Sequence, residues 1–181
     1  MTATGMVRRI DNLGRIVIPK EIRKALRVRE GDALEIYIGP EKEIIFKKYY
    51  AIEQIKSLSE ECADILCKEI FMPVLISNRD HVISAFGVPK QAFLGLKISR
   101  TLEKLMESRK CFSAHEATTG ETFFPLENIE KEAEMVFPIL ANGDIEGSLI
   151  VLKSSKPKLS YEMIFKLAEF SAKFLSSSME S

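Results

Sequence analysis

The chain has 181 residues, of which 46% are hydrophobic, and its 26 basic side chains balance its 26 acidic ones. This length and apolar content suit one ordinary domain or two small domains with their own cores. No apolar run reaches the roughly 20 residues of a bilayer-spanning helix, and the N-terminus lacks the sections of a signal peptide. We therefore expect a cytoplasmic protein with no membrane partner.

The charge is divided between a basic head and an acidic body. Residues 1–50 contain eleven basic and seven acidic side chains, whereas residues 51–181 contain fifteen and nineteen. The positive excess is concentrated in residues 1–29, which hold eight Lys or Arg and two acids. A basic cluster in a neutral protein favours a polyanionic partner, and the natural one is a nucleic-acid backbone.

The cysteines and histidines follow no metal or disulfide pattern. Cys62, Cys67 and Cys111 are odd in number and irregularly spaced, unlike a secreted disulfide framework. Cys62 and Cys67 are five residues apart, so on a helix they point about 140° from each other. His81 and His115 are isolated from them. We expect free packing thiols, no bound metal and no cofactor.

The first predicted element is a β-hairpin. Met6–Ile10 and Arg15–Ile18 are short β-rich runs, and Asn12 and Gly14 between them suit a tight turn.

A basic helix is predicted next. Pro19 fits its first position, where the backbone N–H has no partner, and the helix runs through about Arg27. Four basic side chains on it are 3, 4 and 7 residues apart and share one face: Lys20, Arg23, Lys24 and Arg27. Ile22 and Leu26 lie on the opposite side. Like charges a turn apart weaken an isolated helix, so the arrangement favours an anionic partner.

A second hairpin completes the head, with strands at 34–38 and 44–46 around a turn at 39–42. The predicted order is therefore β, β, α, β, β. So few short elements bury little apolar surface in a chain of about 50 residues without a disulfide or metal, and an intertwined dimer would solve this.

Residues 4–38, TGMVRRIDNLGRIVIPKEIRKALRVREGDALEIYI, resemble the swapped-hairpin DNA-binding domain of the AbrB family of transition-state regulators. The resemblance implies a dimeric β-barrel in which hairpins from two chains interleave and present basic residues to double-stranded DNA. The DNA-contacting arginines of the family match Arg8, Arg15 and Arg23. The fourth basic position is Lys24, which keeps phosphate attraction without bidentate contact. Secondary candidates are Arg9, Lys20 and Arg27.

Three other interpretations of the basic region stay open. A solvated face is disfavoured, because the charges converge from two predicted strands and a helix. An antitoxin-like autorepressor is disfavoured by the long folded C-terminal half. The main rival is a nucleoid-type architectural protein with little sequence preference, which differs from a specific regulator in salt dependence and specificity ratio.

A connector is predicted over residues 51–72. An amphipathic helix over 52–70 is indicated by the spacing of Ile55, Leu58, Cys62, Ile65 and Leu66. Its heptad character suits packing against copies of itself.

The remaining pattern predicts a sheet with helical insertions. In chain order it predicts strands at 73–77 and 81–86, helices at 90–94 and 101–108, strands at 135–140 and 148–152 joined by an Asn-Gly turn, and a closing helix at 160–177. Residues 120–131 are polar and ambiguous. Ser160 is the predicted N-cap of the closing helix, whose buried face is predicted to contain Ile164, Leu167, Ala168, Ser171, Phe174 and Leu175.

This pattern resembles a GAF domain, although periodicity alone also allows a PAS domain. We expect an α+β protein with an AbrB-like swapped-hairpin β-barrel at 1–50 and a GAF-like antiparallel sheet with flanking helices at 73–181. That combination resembles a family of sporulation transcription factors. The resemblance implies an activator and repressor of sporulation genes that assembles as a tetramer.

The GAF resemblance also implies that the second domain can bind a small-molecule ligand. The cyclic-nucleotide signature of this domain class is absent, so the class of ligand stays open. Four phenylalanines either line a pocket or belong to the core, and core is the commoner role: Phe112, Phe123, Phe124 and Phe137.

Enzyme signatures are missing from the sequence. It contains no Gly-x-Ser-x-Gly, phosphate-binding loop or dinucleotide fingerprint, and Glu60 and Glu61 suit a solvated helix face. We expect no catalytic residues and no enzymatic activity.

Overall fold

The computed structural model describes residues 5–116, 122–155 and 157–180. Contacts divide the chain into two compact units, Met1–Tyr49 and Tyr50–Ser181.

The first unit contains one helix and one antiparallel hairpin: α1 (Lys20–Ala25), β1 (Leu34–Ile38) and β2 (Ile44–Lys48). The hairpin confirms the prediction for this segment. Ile36 lies opposite Phe46 in its register, and the amide of Gly39 donates to the Glu43 carbonyl at 2.9 Å across the turn.

The predicted hairpin over residues 6–18 is wrong for the single chain, which forms no strand at 6–10 or 15–18. Its turn is present, because the amides of Gly14 and Asp11 donate to the carbonyls of Asp11 and Arg15, each at 3.0 Å. The physical reason is that these extended segments find no ladder partner within one chain. Their apolar side chains stay open to solvent.

Helix α1 is shorter than predicted, because it begins after Pro19 and ends at Ala25. Arg27 has a left-handed φ of 52° and so cannot continue the helix. The amide of Arg27 donates to the Lys24 carbonyl at 3.2 Å, and that of Val28 donates to the Arg23 carbonyl at 2.8 Å. This is a Schellman ending, which satisfies carbonyls of the last turn.

The second unit has five helices and five strands in its described residues: α2 (Ala51–Gln54), α3 (Lys56–Ile70), β3 (Val74–Asn78), β4 (Val82–Phe86), α4 (Lys90–Phe93), α5 (Arg100–Glu107), β5 (Phe112–Ser113), β6 (Ala133–Ala141), β7 (Asp144–Leu152) and α6 (Tyr161–Met179). The strands form one antiparallel sheet in the order β4-β3-β7-β6-β5. The predicted Asn-Gly turn joins β6 to β7, with φ of 49° at Asn142 and 82° at Gly143. Ser160 caps α6 as predicted, since its side chain accepts from the amide of Met163.

Each face of the sheet carries its own core, because neighbouring strand residues point to opposite faces. Val74 and Ile76 pack with α2, α3 and α6, whereas Leu75 packs with α4 and α5 on the other side. The sheet is therefore a central layer covered on both sides.

The connector prediction needs two corrections. The helix is broken at Ile55 into α2 and α3. The buried positions of α3 are Ser59, Ala63, Leu66 and Ile70. The buried face is therefore displaced around the helix from the predicted apolar stripe, and Ile65 in that stripe is 54% exposed. On α6, Phe174 was expected in the core but is 42% exposed. Helical periodicity of apolar residues is the same for a face packed in the core and for an apolar face exposed in the single chain. The pattern therefore predicted burial for residues that are exposed.

The four phenylalanines do not converge on one pocket. Phe112 packs against buried Phe123 with tilted rings whose centroids are 4.6 Å apart, on the α5 side of the sheet. Phe137 is buried on the opposite face against Phe165, and Phe124 is 39% exposed. Phe123 and Phe137 therefore have the core role.

Two further features concern membranes and metals. Within the described ranges, no helix combines the length and the apolar character needed to cross a bilayer. The same residues contain no cluster of three or more His, Cys, Asp or Glu side chains suited to a metal ion.

Candidate nucleic-acid interface

The predicted DNA-binding side chains of the first unit are exposed. Arg8 and Arg15 lie on either side of the turn at 11–14, while Arg23 and Lys24 lie on α1. The secondary candidates Arg9 and Lys20 are also exposed, but Arg27 is half-buried beyond the end of the helix. The basic face of α1 is thus limited to three side chains: Lys20, Arg23 and Lys24.

Asp11 organises the turn that carries Arg15. Its Oδ1 accepts from the amides of Leu13 and Arg15 at 2.9 and 2.8 Å, and its Oδ2 accepts from Arg15 Nε at 2.8 Å. The backbone hydrogen bond from Arg15, followed by the one from its side chain, lowers the pKa of Asp11 below its usual range. One of the five guanidinium donors is used, and the Arg15 side chain remains 71% exposed.

Asp11 is a turn-organising residue that counting charges does not reveal, because by charge alone it is only one acid within a basic segment. The usable signal was the Asp-Asn-Leu-Gly turn itself, since an aspartate at the start of a turn commonly accepts from amides two or more residues further on.

The end of α1 is fixed by a buried ion pair. Lys48 Nζ lies 3.3 Å from Asp32 Oδ2, and their side chains are only 9% and 2% exposed. Lys48 also donates to the Arg27 carbonyl at 2.9 Å, and Asp32 Oδ2 accepts from the Arg29 amide at 2.8 Å. The sequence gives no local signal for this pair, because Asp32 and Lys48 belong to different segments.

Large apolar side chains surround the basic ones in the first unit. Val7 is 85% exposed and Ile38 is 84% exposed. Others that are at least 41% exposed are Met6, Ile10, Leu13, Ile16, Val17, Leu26, Ile36, Tyr37, Ile44 and Phe46. So much exposed apolar surface in so small a unit marks a protein–protein interface.

The second unit has an apolar groove between α3 and α6. It has a volume of about 490 Å³ and is lined by Leu58, Glu61, Cys62, Ile65, Leu66, Glu69, Leu167, Phe170, Ser171 and Phe174. Phe170 is 68% exposed at its edge. Burial raises the pKa of the Cys62 thiol, which suits a packing role over a reactive one.

Comparisons with known proteins cover both units. Residues 54–180 match the family described as stage V sporulation protein T C-terminal, transcription factor. Residues 7–49 match the family described as antidote-toxin recognition MazE, bacterial antitoxin. The first match spans more than half of the chain, and the second spans only the head.

Individual relatives agree with this division. Stage V sporulation protein T of Bacillus subtilis (strain 168) is 40% identical over 180 residues, which cover 99% of each chain. The transition state regulatory protein AbrB of the same strain is 59% identical over 49 residues, which cover 27% of this chain and 50% of AbrB.

A solved structure confirms the GAF fold of the second unit. The GAF domain of PixJ from Thermosynechococcus elongatus, in its blue-light absorbing form, is similar over 72% of this chain and 87% of that domain, with a TM-score of 0.52 and 14% identity. Since the stage V sporulation protein T match extends over both units, the chain belongs to the stage V sporulation protein T family of transcription factors.

Proposed function

We propose that the protein is a DNA-binding regulator that activates and represses sporulation genes in the cytoplasm and is not an enzyme. The observation that carries the proposal is the exposed set Arg8, Arg15, Arg23 and Lys24, within a segment 59% identical to a transition state regulator. Arginine suits this role because its planar fork binds a base edge or a phosphate bidentately.

The DNA-binding form is a dimer of first units. Residues 6–10 and 15–18 are extended without a strand partner in the single chain, and their apolar side chains are exposed. Pairing with the hairpins of a second chain would satisfy the backbone groups and bury these side chains together. It would also double the number of basic side chains offered to one duplex.

The second unit then joins two such dimers into a tetramer. The occupant of the groove between α3 and α6 is the same groove of a second copy, because the exposed rings of Phe170 and Phe174 and the side chain of Ile65 form a continuous apolar edge. Self-association through this edge removes it from water. We also propose that the GAF-like unit binds a small-molecule ligand, whose chemical class is open.

Two rival functions would also use the basic head. An antitoxin-like autorepressor agrees with the family match of residues 7–49, but the folded second unit disfavours it. A nucleoid-type architectural protein would bind a selected duplex and a scrambled duplex with similar affinity. A specific regulator would prefer the selected one by about 10³-fold or more.

Alanine variants of Arg8, Arg15, Arg23 and Lys24, measured by fluorescence anisotropy, test the proposal. The DNA is a duplex selected by the wild-type protein from a random-sequence pool. Each variant should lose about 1–3 kcal/mol if the side chain reads a base, or lower the salt slope by about one unit if it holds a phosphate. Wild-type affinity in all four variants would overturn the assignment.

A further inference from the structure

We propose that Lys48 and Asp32 are positioning residues for DNA recognition: their buried pair holds the C-terminal end of α1 in the orientation that presents Arg23 and Lys24 to the duplex. This inference rests on the proposed DNA-binding role of those two side chains. Neither Lys48 nor Asp32 contacts DNA in this proposal.

Lys48 makes two polar contacts near the end of α1. Its ammonium group lies between two oxygens, 2.9 Å from the Arg27 carbonyl and 3.3 Å from Asp32 Oδ2. Because both side chains are almost fully buried, solvent and salt screen the interaction far less than they screen a surface ion pair. Loss of either side chain would remove one of the two charges that this buried contact brings together.

The Arg27 carbonyl belongs to the C-terminal ending of α1. Arg27 stands at the left-handed position of the Schellman ending, with φ of 52°, where a side chain with a Cβ is sterically disfavoured. The two hydrogen bonds of that ending are accepted by the carbonyls of Arg23 and Lys24. The backbone that Lys48 holds is therefore continuous with the backbone of the two proposed DNA contacts.

The pair of Lys48 and Asp32 also connects α1 to the β1–β2 hairpin. Asp32 Oδ2 accepts from the Arg29 amide at 2.8 Å, which closes the loop that follows the helix. The amide of Tyr49 donates to the Ala33 carbonyl at 3.0 Å, so Lys48 and Asp32 lie beside a backbone contact. A helix of only six residues has little stability of its own, and these contacts supply a rigid support.

The neighbouring lysine offers a matched control. Lys47 precedes Lys48 on β2 but points to the other face, where its Nζ lies 5.0 Å from the centroid of the Tyr37 ring. The residue is exposed. Lys47→Met and Lys48→Met therefore remove the same charge from the same strand, but only Lys48→Met removes a buried contact with Asp32 and the Arg27 carbonyl.

The test uses the full chain and a duplex selected by the wild-type protein from a random-sequence pool. Relative to Lys47→Met, Lys48→Met should weaken binding about tenfold or more, because a misplaced Arg23 loses its bidentate contact. The salt slope should stay unchanged, since the flexible side chain of Lys24 still reaches a phosphate as a point charge. Lys48→Arg should restore most of the affinity, since it keeps a donor for the Arg27 carbonyl. The exchange Asp32→Lys with Lys48→Asp should not restore it, because a carboxylate cannot donate to a carbonyl.

Several outcomes would overturn the positioning role. A salt slope lowered by about one unit in Lys48→Met would indicate that Lys48 contacts a phosphate directly. An affinity of Lys48→Met equal to that of Lys47→Met would show that the buried contact does not matter for binding. Restored affinity in the Asp32→Lys, Lys48→Asp exchange would indicate a simple ion pair. Circular dichroism checks that each variant folds. If Lys48→Met does not fold, Asp32→Asn must show the same loss of DNA affinity with an unchanged salt slope. Arg23→Ala separates the two proposals. If Arg23→Ala binds DNA as tightly as the wild type, the proposed DNA-binding site is refuted. If Arg23→Ala binds weakly while Lys48→Met binds normally, only the positioning role of Lys48 is refuted.

Discussion

The hydroxyl of Tyr50 donates a 2.6 Å hydrogen bond to Oδ2 of Asp80, 30 residues further along the chain. Asp80 is 7% exposed, and beside it the side-chain amide Nδ2 of Asn78 donates to Oε1 of Glu53 at 2.7 Å. Tyr50 and α2 begin the second unit, and Asn78 and Asp80 form the turn between β3 and β4. The two contacts therefore tie the start of this unit to its sheet.

Tyr50→Phe should weaken that tie. Hydrogen bonds to charged groups contribute about 1.5–3 kcal/mol, so we expect the free energy of unfolding of the second unit to fall by an amount of that order. Hydrogen–deuterium exchange of peptides from β3 and β4, with the full chain, measures the change. Tyr49→Phe on the adjacent exposed residue is the control, and equal exchange in the two variants would contradict the prediction.

The sequence predicted elements whose signals are local. The hairpins β1–β2 and β6–β7 follow from alternating apolar residues and from turn residues such as Asn142 and Gly143. Helix α6 follows from its period and from the Ser160 cap. Local patterns suffice where neighbours in the chain are also neighbours in the structure.

What sequence reasoning missed depends on distant or absent partners. Lys48 and Asp32 meet across 16 residues, and the resulting support of α1 has no local signature. Ile65 and Phe174 carry the same helical period as core residues but remain exposed in the single chain. The extended segments around the turn at 11–14 fit a hairpin pattern, yet one chain offers them no ladder partner.

Folding of the first unit should depend on protein concentration. In the proposed dimer its exposed apolar residues, such as Val7 and Ile38, become buried when two chains associate, so dimerisation and folding would be one event. We expect the melting temperature of a fragment of residues 1–50 to rise with concentration. A concentration-independent transition, with a monomer mass in sedimentation, would rule out the interleaved dimer.

The turn around Asp11 should respond to acid. Its pKa is lowered in the folded state by the hydrogen bonds from Arg15, so the contribution of the carboxylate is complete above the ordinary value of 3.8 and is lost as pH falls through the lower folded value. The amide protons of Leu13 and Arg15 should titrate in NMR spectra with a midpoint below 3.8. A midpoint at or above the ordinary value would contradict this, and Asp11→Asn should abolish the titration.

Asp11→Asn should also separate affinity from specificity. The change removes a negative charge from the basic surface, so binding to a scrambled duplex should become tighter. It also removes the charged partner that orients Arg15, so preference for the selected duplex should decrease. Competition between the two duplexes measures the ratio, and a ratio equal to that of the wild type would show that Asp11 does not orient a base-reading side chain.

Assembly through the groove should fail when its exposed edge is charged. Ile65→Asp combined with Phe170→Asp targets side chains that are 54% and 68% exposed. Ile55 and Leu58, in contrast, also pack against the core, so charging them would disturb folding as well as the groove edge. Phe71→Asp is the matched control, because Phe71 is 50% exposed and lies outside the groove lining.

We expect light scattering to show a tetramer for the wild type and the control and a dimer for the double variant. Binding to one DNA site should be unchanged, since no DNA contact is removed. Binding to a two-site duplex should weaken by about 10²- to 10⁴-fold, because the linked second dimer no longer acts at a high effective concentration. A wild-type protein that is already a dimer, or a double variant that stays tetrameric and binds both duplexes as tightly as before, would show that α3 and α6 do not join the dimers.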